Sequence, residues 1–396
     1  MENILESNIK IRSKRIESID LLRGIVMIIM ALDHVRDYFH ADAFLFDPTD
    51  LSQTNGFIFF TRWITHFCAP VFIFLTGLSA YINGQNIGQK QISAFLLKRG
   101  LWLIILEFTV VNFGWFFNIH FHFFALQVIW AIGVCMMVLG ILVYLPKPIL
   151  WLIGISIFIF HNLIDFINIP EDSIINFFFK WKFYHTDFAN IVTAYPIIPW
   201  IGIITLGYCF GEFYNKDFDP SRRKKILLYS GLISTILFII IRFINLYGDP
   251  SLWSTQSSPF FTFLSFLNTT KYPPSLLYSL MTLGPAFIFL SYSENINNTL
   301  SNKIITIGRV PMFFYLVHIY IIHLLALIII NFTGFSWSEM ILSKWVTANE
   351  NLKGYGFSLG IVYLIWIILI IAIYPLCKFY ENYKRNNKDK WWLSYL

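Results

Sequence analysis

The stretch DLLRGIVMIIMALDHVRDYFH, residues 20–40, is apolar enough through its middle to sit in a lipid bilayer, yet it carries Asp20, Arg23, Asp33, His34, Arg36 and Asp37. Ionisable groups are costly in hydrocarbon and persist there when they face a protein interior or a water-filled cavity. Read as a transmembrane helix, the stretch places the chain in a membrane and turns one helix face toward something polar. At about 100° per residue, Asp20, Arg23, His34 and Asp37 share roughly a third of the circumference, with Asp33 at the margin. Arg23 and His34 are separated by about 16 Å along the axis, so they sit toward opposite ends of the span.

The rest of the chain agrees. Of 396 residues, 57% are apolar and only 13% charged, which excludes a soluble globular domain. The apolar residues come in blocks of about 20, the length of a membrane-crossing helix, without the short alternating segments of a β-barrel. The fold class expected is all-α, a polytopic transmembrane helix bundle of about ten spans. They fall near 19–39, 58–82, 95–117, 123–145, 148–168, 191–214, 226–247, 273–292, 304–331 and 357–380. NFFFKWKFYHTDF, residues 176–188, is an interfacial or re-entrant piece that leaves room for an eleventh.

Lys and Arg cluster in alternate loops, which sets both termini in the cytoplasm and DAFLFDPTDLSQTNG outside, with Lys271 among the few scattered outer positives. This makes 1–396 a single membrane domain, with a cytoplasmic segment at 1–18 and a cytoplasmic tail at 381–396. The first span has no small-residue cleavage site and reads as uncleaved. The net charge of +6 belongs to this topology and not to a nucleic-acid partner. Cys68, Cys135, Cys209 and Cys377 stand singly in apolar segments, as buried, reduced packing residues do.

A second span, TRWITHFCAPVFIFLTGLSAYI (61–82), puts Arg62, Thr65, His66, Ala69, Thr76, Gly77 and Ala80 on one face. Joined to the first span by a short outer loop, it brings His66 toward His34, with Arg36, Arg62, Asp33 and Asp37 around an outward-facing pocket. The plainer alternative is an ion network that holds the bundle together. Gln127 and Glu107 are polar groups in apolar spans, each either an interhelical contact or a substrate contact. His120 and His122 have metal-like spacing without a third ligand nearby, and no metal is expected. YPIIPWIG and KYPPSLL predict kinks or broken helices. In GRVPMFFYLVHIYIIHLLAL (308–327), a helical count puts His323 on the face of Arg309 and His318 nearly opposite, unless Pro311 rotates that relation.

SIDLLRGIVMIIMALDH, HFCAPVFIFLTG, LQVIWAIG, YPIIPWIGIITLGYCFG, GRVPMFFYLVHIYIIH and the terminal WWLSYL together resemble bacterial relatives of the heparan-alpha-glucosaminide N-acetyltransferase catalytic domain. The resemblance implies transfer of acetyl from cytosolic acetyl-CoA to an extracytoplasmic glycan amine or hydroxyl, in a bacterial cytoplasmic (inner) membrane. It matches Gln127 and His318 to a Leu-Gln and a Tyr-x-x-His position, which favours His318 over His323. His34 stands where the family pattern has Asn, and His40 is the nearest match to a histidine of the first outer loop.

The mechanism that follows gives His34 the role of general base, aided by Asp33 or Asp37, with His66 or Gln127 donating to the oxyanion. Arg36, Arg62, Gln127 and His318 contact substrate, while Asp20, Arg23 and Arg309 hold the nucleotide end of acetyl-CoA. Direct transfer and an acetyl-histidine relay are both compatible with these residues. The partners are the bilayer and a glycan or other cell-surface acceptor, with a homo-oligomer left open. The rival from another class is a proton-coupled transporter, against which the sequence offers no second copy of LDHVRD or THFCAP.

Overall fold

A computed structural model describes residues 16–85, 87–387, 389–390 and 393. The basic segment KIRSKR and all of WWLSYL except Leu393 lie outside the described residues. Helix α1, Glu17–Phe39, opens with Glu17 and Asp20 in its first turn and closes with Arg36 in its last, charges that complement the helix dipole. Helix α2, Gly56–Gly84, starts where the Asn55 side chain accepts from Ile58 N. It tightens into a 3₁₀ turn at Thr65–Phe67, just ahead of Pro70. Proline has no N–H to return to the carbonyl four residues back, and the Tyr278 hydroxyl donates to that His66 oxygen instead, at 2.7 Å. Helix α3 runs from Gln89–Leu106 through a π turn at Glu107–Val111 into Asn112–Phe116, and ends at Phe117 with φ +46°.

The remaining long helices are α4 (Val128–Leu142), α5 (Lys147–Phe160), α6 (Ile197–Phe210), α7 (Pro220–Ile244), α8 (Pro259–Leu267), α9 (Leu276–Ser293), α10 (Thr299–Arg309), α11 (Pro311–Ile329) and α12 (Leu359–Asn386). Among the described residues, seven helices are long and apolar enough to cross a membrane, those beginning at Gly56, Lys147, Ile197, Pro220, Leu276, Pro311 and Leu359. Outer helices carry exposed Ile236, Phe243, Ile371 and Phe379, the surface that lipid covers. The protein is thus a polytopic helix bundle of an integral membrane protein. Helix α1 is its central post, contacted by α2, α9, α10, α11 and α12, with Ala31, Val35, Tyr38 and Phe39 fully buried. All four cysteines are buried and free.

Two sets of expected boundaries are corrected. The segments expected to open spans at 123 and 191 instead form strands β1 (Phe123–Leu126) and β3 (Asn190–Thr193), joined by β2 (Lys182–His185) in the order β1-β3-β2. β1 pairs parallel and β2 antiparallel with β3. The segment 176–188 is therefore no eleventh span: a short helix, Ile175–Phe179, leads into strand β2. Its backbone groups pair across strands, and the helices begin only after Gln127 and Pro196. The span expected at 304–331 is also broken: Val310 separates α10 from α11, because Pro311 cannot continue the ladder and its fixed φ suits the first turn of a new helix.

The contact of α1 with α10 is close. A Cβ at Gly308 would lie 1.9 Å from the Asp20 carbonyl oxygen, and one at Gly24 2.2 Å from that of Ile304. Only glycine allows the two backbones to approach so far.

Candidate functional site

The two ends of α1 carry two different constellations. At the Asp20 end, Arg23 donates to Asp20 Oδ1 at 2.9 Å, to the Gly308 carbonyl at 3.2 Å and to Ser79 Oγ at 2.9 Å. Arg309 donates to Glu381 Oε1 at 2.9 Å, and its guanidinium also lies 3.3 Å from Glu17 and 3.6 Å from Asp20. These groups line a cavity of ≈ 990 Å³ whose wall also holds Arg99, Lys384 and Arg385. Thr76, Ala80, Phe95 and Met136 also line it. Asp20, Arg23 and Arg309 thus come together as one mouth, although Pro311 starts a separate helix beyond it. Arg99, Lys384 and Arg385 were legible in sequence only as topology-setting charges.

At the other end, Asp33 is gripped by Arg36 at 2.8 Å and by Arg62 at 2.5 Å, and Arg36 also pairs with Asp37 at 2.6 Å. Lys271, which the sequence reading left among scattered outer charges, is buried here with its ammonium 3.9 Å from Asp33. Loop geometry brings it in: Lys271 lies between α8 and α9, in a turn whose Thr270 is anchored on the Asp249 carboxylate. His66 is buried with its Nδ1 unpartnered among the described residues, and its ring lies 5.5 Å from that of Tyr278.

His34 makes its contact away from the aspartates. Its Nδ1 lies 2.8 Å from Nε2 of His318, and the two rings stack with centroids 5.0 Å apart. His318 Nδ1 in turn lies 2.9 Å from the carbonyl oxygen of Phe314. A carbonyl only accepts, so His318 donates through Nδ1 and accepts through Nε2. His34 must then donate through Nδ1, which leaves its Nε2 with a free lone pair. Trp115 packs edge-on against the His34 ring at 4.7 Å and donates from Nε1 to Tyr315 Oη at 3.2 Å, which fixes the ring laterally. The arginines hold the Asp33 and Asp37 carboxylates and His318 contacts the imidazole of His34, while Asp33 remains a charged neighbour of His34. His66 likewise makes no ring contact or hydrogen bond with His34 among the described residues; the two share Asp33, Arg36 and Lys271 as charged neighbours.

Other polar residues have local roles. Glu107 sits in the π turn of α3 and accepts from Trp130 N at 2.9 Å, capping the start of α4 directly after Gln127. His323 has both ring nitrogens against carbonyls, Gly114 at 2.9 Å and Met340 at 2.8 Å, and stacks on Phe117 at 3.9 Å. It clips α11 to the end of α3 and to the following loop. The helical count that favoured His323 runs through the break at Val310 and fails there. His40 is buried just past α1, where burial holds its imidazole below the ordinary range against the opposing pull of Asp42. His120 and His122 stack on each other at the surface, rings 5.6 Å apart. Among the described residues no three His, Cys, Asp or Glu side chains are grouped to hold a metal ion.

A family profile described as heparan-alpha-glucosaminide N-acetyltransferase, catalytic, matches residues 15–248, well over half of the 396. None of the curated proteins matches the chain. The matched stretch holds the stripe of α1, Arg62, His66 and Gln127, whereas Lys271, Arg309 and His318 reach the same two constellations from beyond it. The chain belongs to the heparan-alpha-glucosaminide N-acetyltransferase catalytic family, a family of membrane-embedded acyltransferases.

Proposed function

We propose that this protein moves an acetyl group from cytosolic acetyl-CoA to an amine or hydroxyl of an extracytoplasmic glycan-type acceptor. The observation that carries the reading is the pairing, on one helix, of a cation-lined cavity with a histidine whose Nε2 lone pair is free. Arg23, Arg99, Arg309, Lys384 and Arg385 supply the donors and charge that phosphates of the nucleotide end require. The acyl-pantetheine arm then follows the stripe of α1 for the ~16 Å from Arg23 to His34, bringing the thioester to the second constellation. There His34 Nε2 takes the proton of the acceptor as it attacks the carbonyl carbon, and the imidazolium returns that proton to the departing thiolate. His318 keeps Nδ1 of His34 protonated, so that Nε2 is the basic atom throughout. In this reading the mouth faces the cytoplasm and the bacterial inner membrane is the site of action.

Incubating purified protein with radiolabelled acetyl-CoA and amino-sugar oligosaccharides tests this. Labelled oligosaccharide in step with free CoA is the expected result. Absence of both, with CoA bound, overturns it. A transporter would instead carry its substrate into vesicles without releasing CoA.

A further inference from the structure

Resting on the acyltransferase reading above, we propose that Lys271 is a further catalytic residue: its ammonium stabilises the negative charge that develops on the thioester oxygen during transfer. The side chain is buried, and an ammonium is placed inside a membrane bundle at considerable cost unless it has a task or a close partner. Its partner is poor. Asp33 is 3.9 Å away and already engaged by Arg36 at 2.8 Å and Arg62 at 2.5 Å. Lys271 makes no hydrogen bond among the described residues, and its ammonium otherwise lies over the Tyr272 ring, 5.1 Å from the centroid.

The charges around it point the same way. Three cations, Arg36, Arg62 and Lys271, are ion-paired with two carboxylates, Asp33 and Asp37, and Asp47 is a further anion acting on Arg62. Burial by itself would raise the phenol of Tyr272, yet Lys271 and Arg62 beside it hold that group below the usual tyrosine range. The same ammonium acts on both His34 and His66. Its neighbours Thr270, Tyr272 and Pro273 line a depression of ≈ 500 Å³ with Asp165, Lys180 and Trp181. We take this depression, next to Lys271 in the chain, as the acceptor's approach.

The acceptor nitrogen or oxygen forms a bond to the thioester carbon, its proton goes to His34 Nε2, and the carbonyl π pair moves onto oxygen opposite Lys271. The pair returns, the C–S bond breaks, and the thiolate takes the proton back from His34, giving the acetylated acceptor and CoA. Positive charge fixed where the oxyanion forms acts in the transition state more than on bound substrate, so it raises turnover rather than affinity.

The test uses full-length protein in detergent and follows CoA release and acetylated amino-sugar product. Lys271→Met is expected to lower kcat ~10²- to 10³-fold, the usual cost of removing one oxyanion donor. Acetyl-CoA affinity should hold, since the mouth lies at the other end of α1. Lys271→Cys treated with 2-bromoethylamine rebuilds an ammonium at nearly the same reach and is expected to recover activity. Native kcat in Lys271→Met overturns the assignment, as does a loss that follows melting temperature and resists aminoethylation. Native protein that binds CoA and releases none from acetyl-CoA defeats the acyltransferase reading itself, and the Lys271 assignment with it.

Discussion

The two ends of α1 use the same residue types to opposite purposes. At the mouth, arginines lie against carboxylates beside a cavity of ≈ 990 Å³, and the Arg309 side chain is 26% exposed. At the other end, Arg36 is 3% exposed and locked between Asp33 and Asp37. A guanidinium beside water exchanges a carboxylate for a phosphate at little cost, whereas one sealed in a low-dielectric interior keeps its partner. Access to water, more than residue identity, separates a docking surface from a fixed electrostatic frame.

That contrast can be broken or sharpened by substitution. The largest effect is expected from His34→Ala, which should lower turnover ~10²- to 10⁴-fold while CoA affinity and melting temperature stay near native. Near-normal turnover per folded molecule would remove the base from the outer end. Asp33→Asn should cost about 3–5 kcal/mol of stability, because Arg36 and Arg62 lose their shared counter-ion in a buried site. Chemical denaturation in detergent measures it, and a change below about 1 kcal/mol, the range of exposed pairs, would erase the distinction between the two ends.

His318→Phe keeps a ring against Trp115 and Tyr315 but removes the acceptor of His34 Nδ1. A drop in kcat of roughly 10²-fold at constant CoA affinity is expected from the misdirected imidazole. An equal loss of affinity would place His318 on the donor instead. Arg23→Ala should be the mildest, weakening CoA binding about tenfold with stability little changed. Calorimetric titration with CoA decides it; an unchanged dissociation constant with a large loss of stability would make the mouth a second structural network.

Much of this was legible in the apolar blocks, because bilayer thickness sets their length and the stripe of α1 follows from helical period alone. What escaped had no periodic signature. The sheet of β1, β2 and β3 is joined across some sixty residues, and β1, four aromatic and aliphatic residues, reads like the start of a helix. Val310 defeated the helical count between Arg309 and His318, and there the family resemblance named the residue that geometry places against His34. Lys271 stood as one more outer-loop positive, since nothing local in KYPP says that the loop folds inward. Gln127 was read as a polar side chain in a span, but its position at the head of α4 also depends on a carboxylate twenty residues earlier, Glu107.

The glycine contact between α1 and α10 also bears on motion. With the Gly308 backbone seated against Asp20 and its carbonyl receiving Arg23, the two helices cannot slide or part by even a methyl's width without losing that fit. Arg23 and Arg309 therefore travel as one rigid jaw. Arg99 on α3 and Lys384 and Arg385 on the last turns of α12 complete the lining, and the Arg309–Glu381 pair ties α12 to the same surface. An anion entering the mouth therefore meets arginines that the fit of α1 against α10 already holds in place.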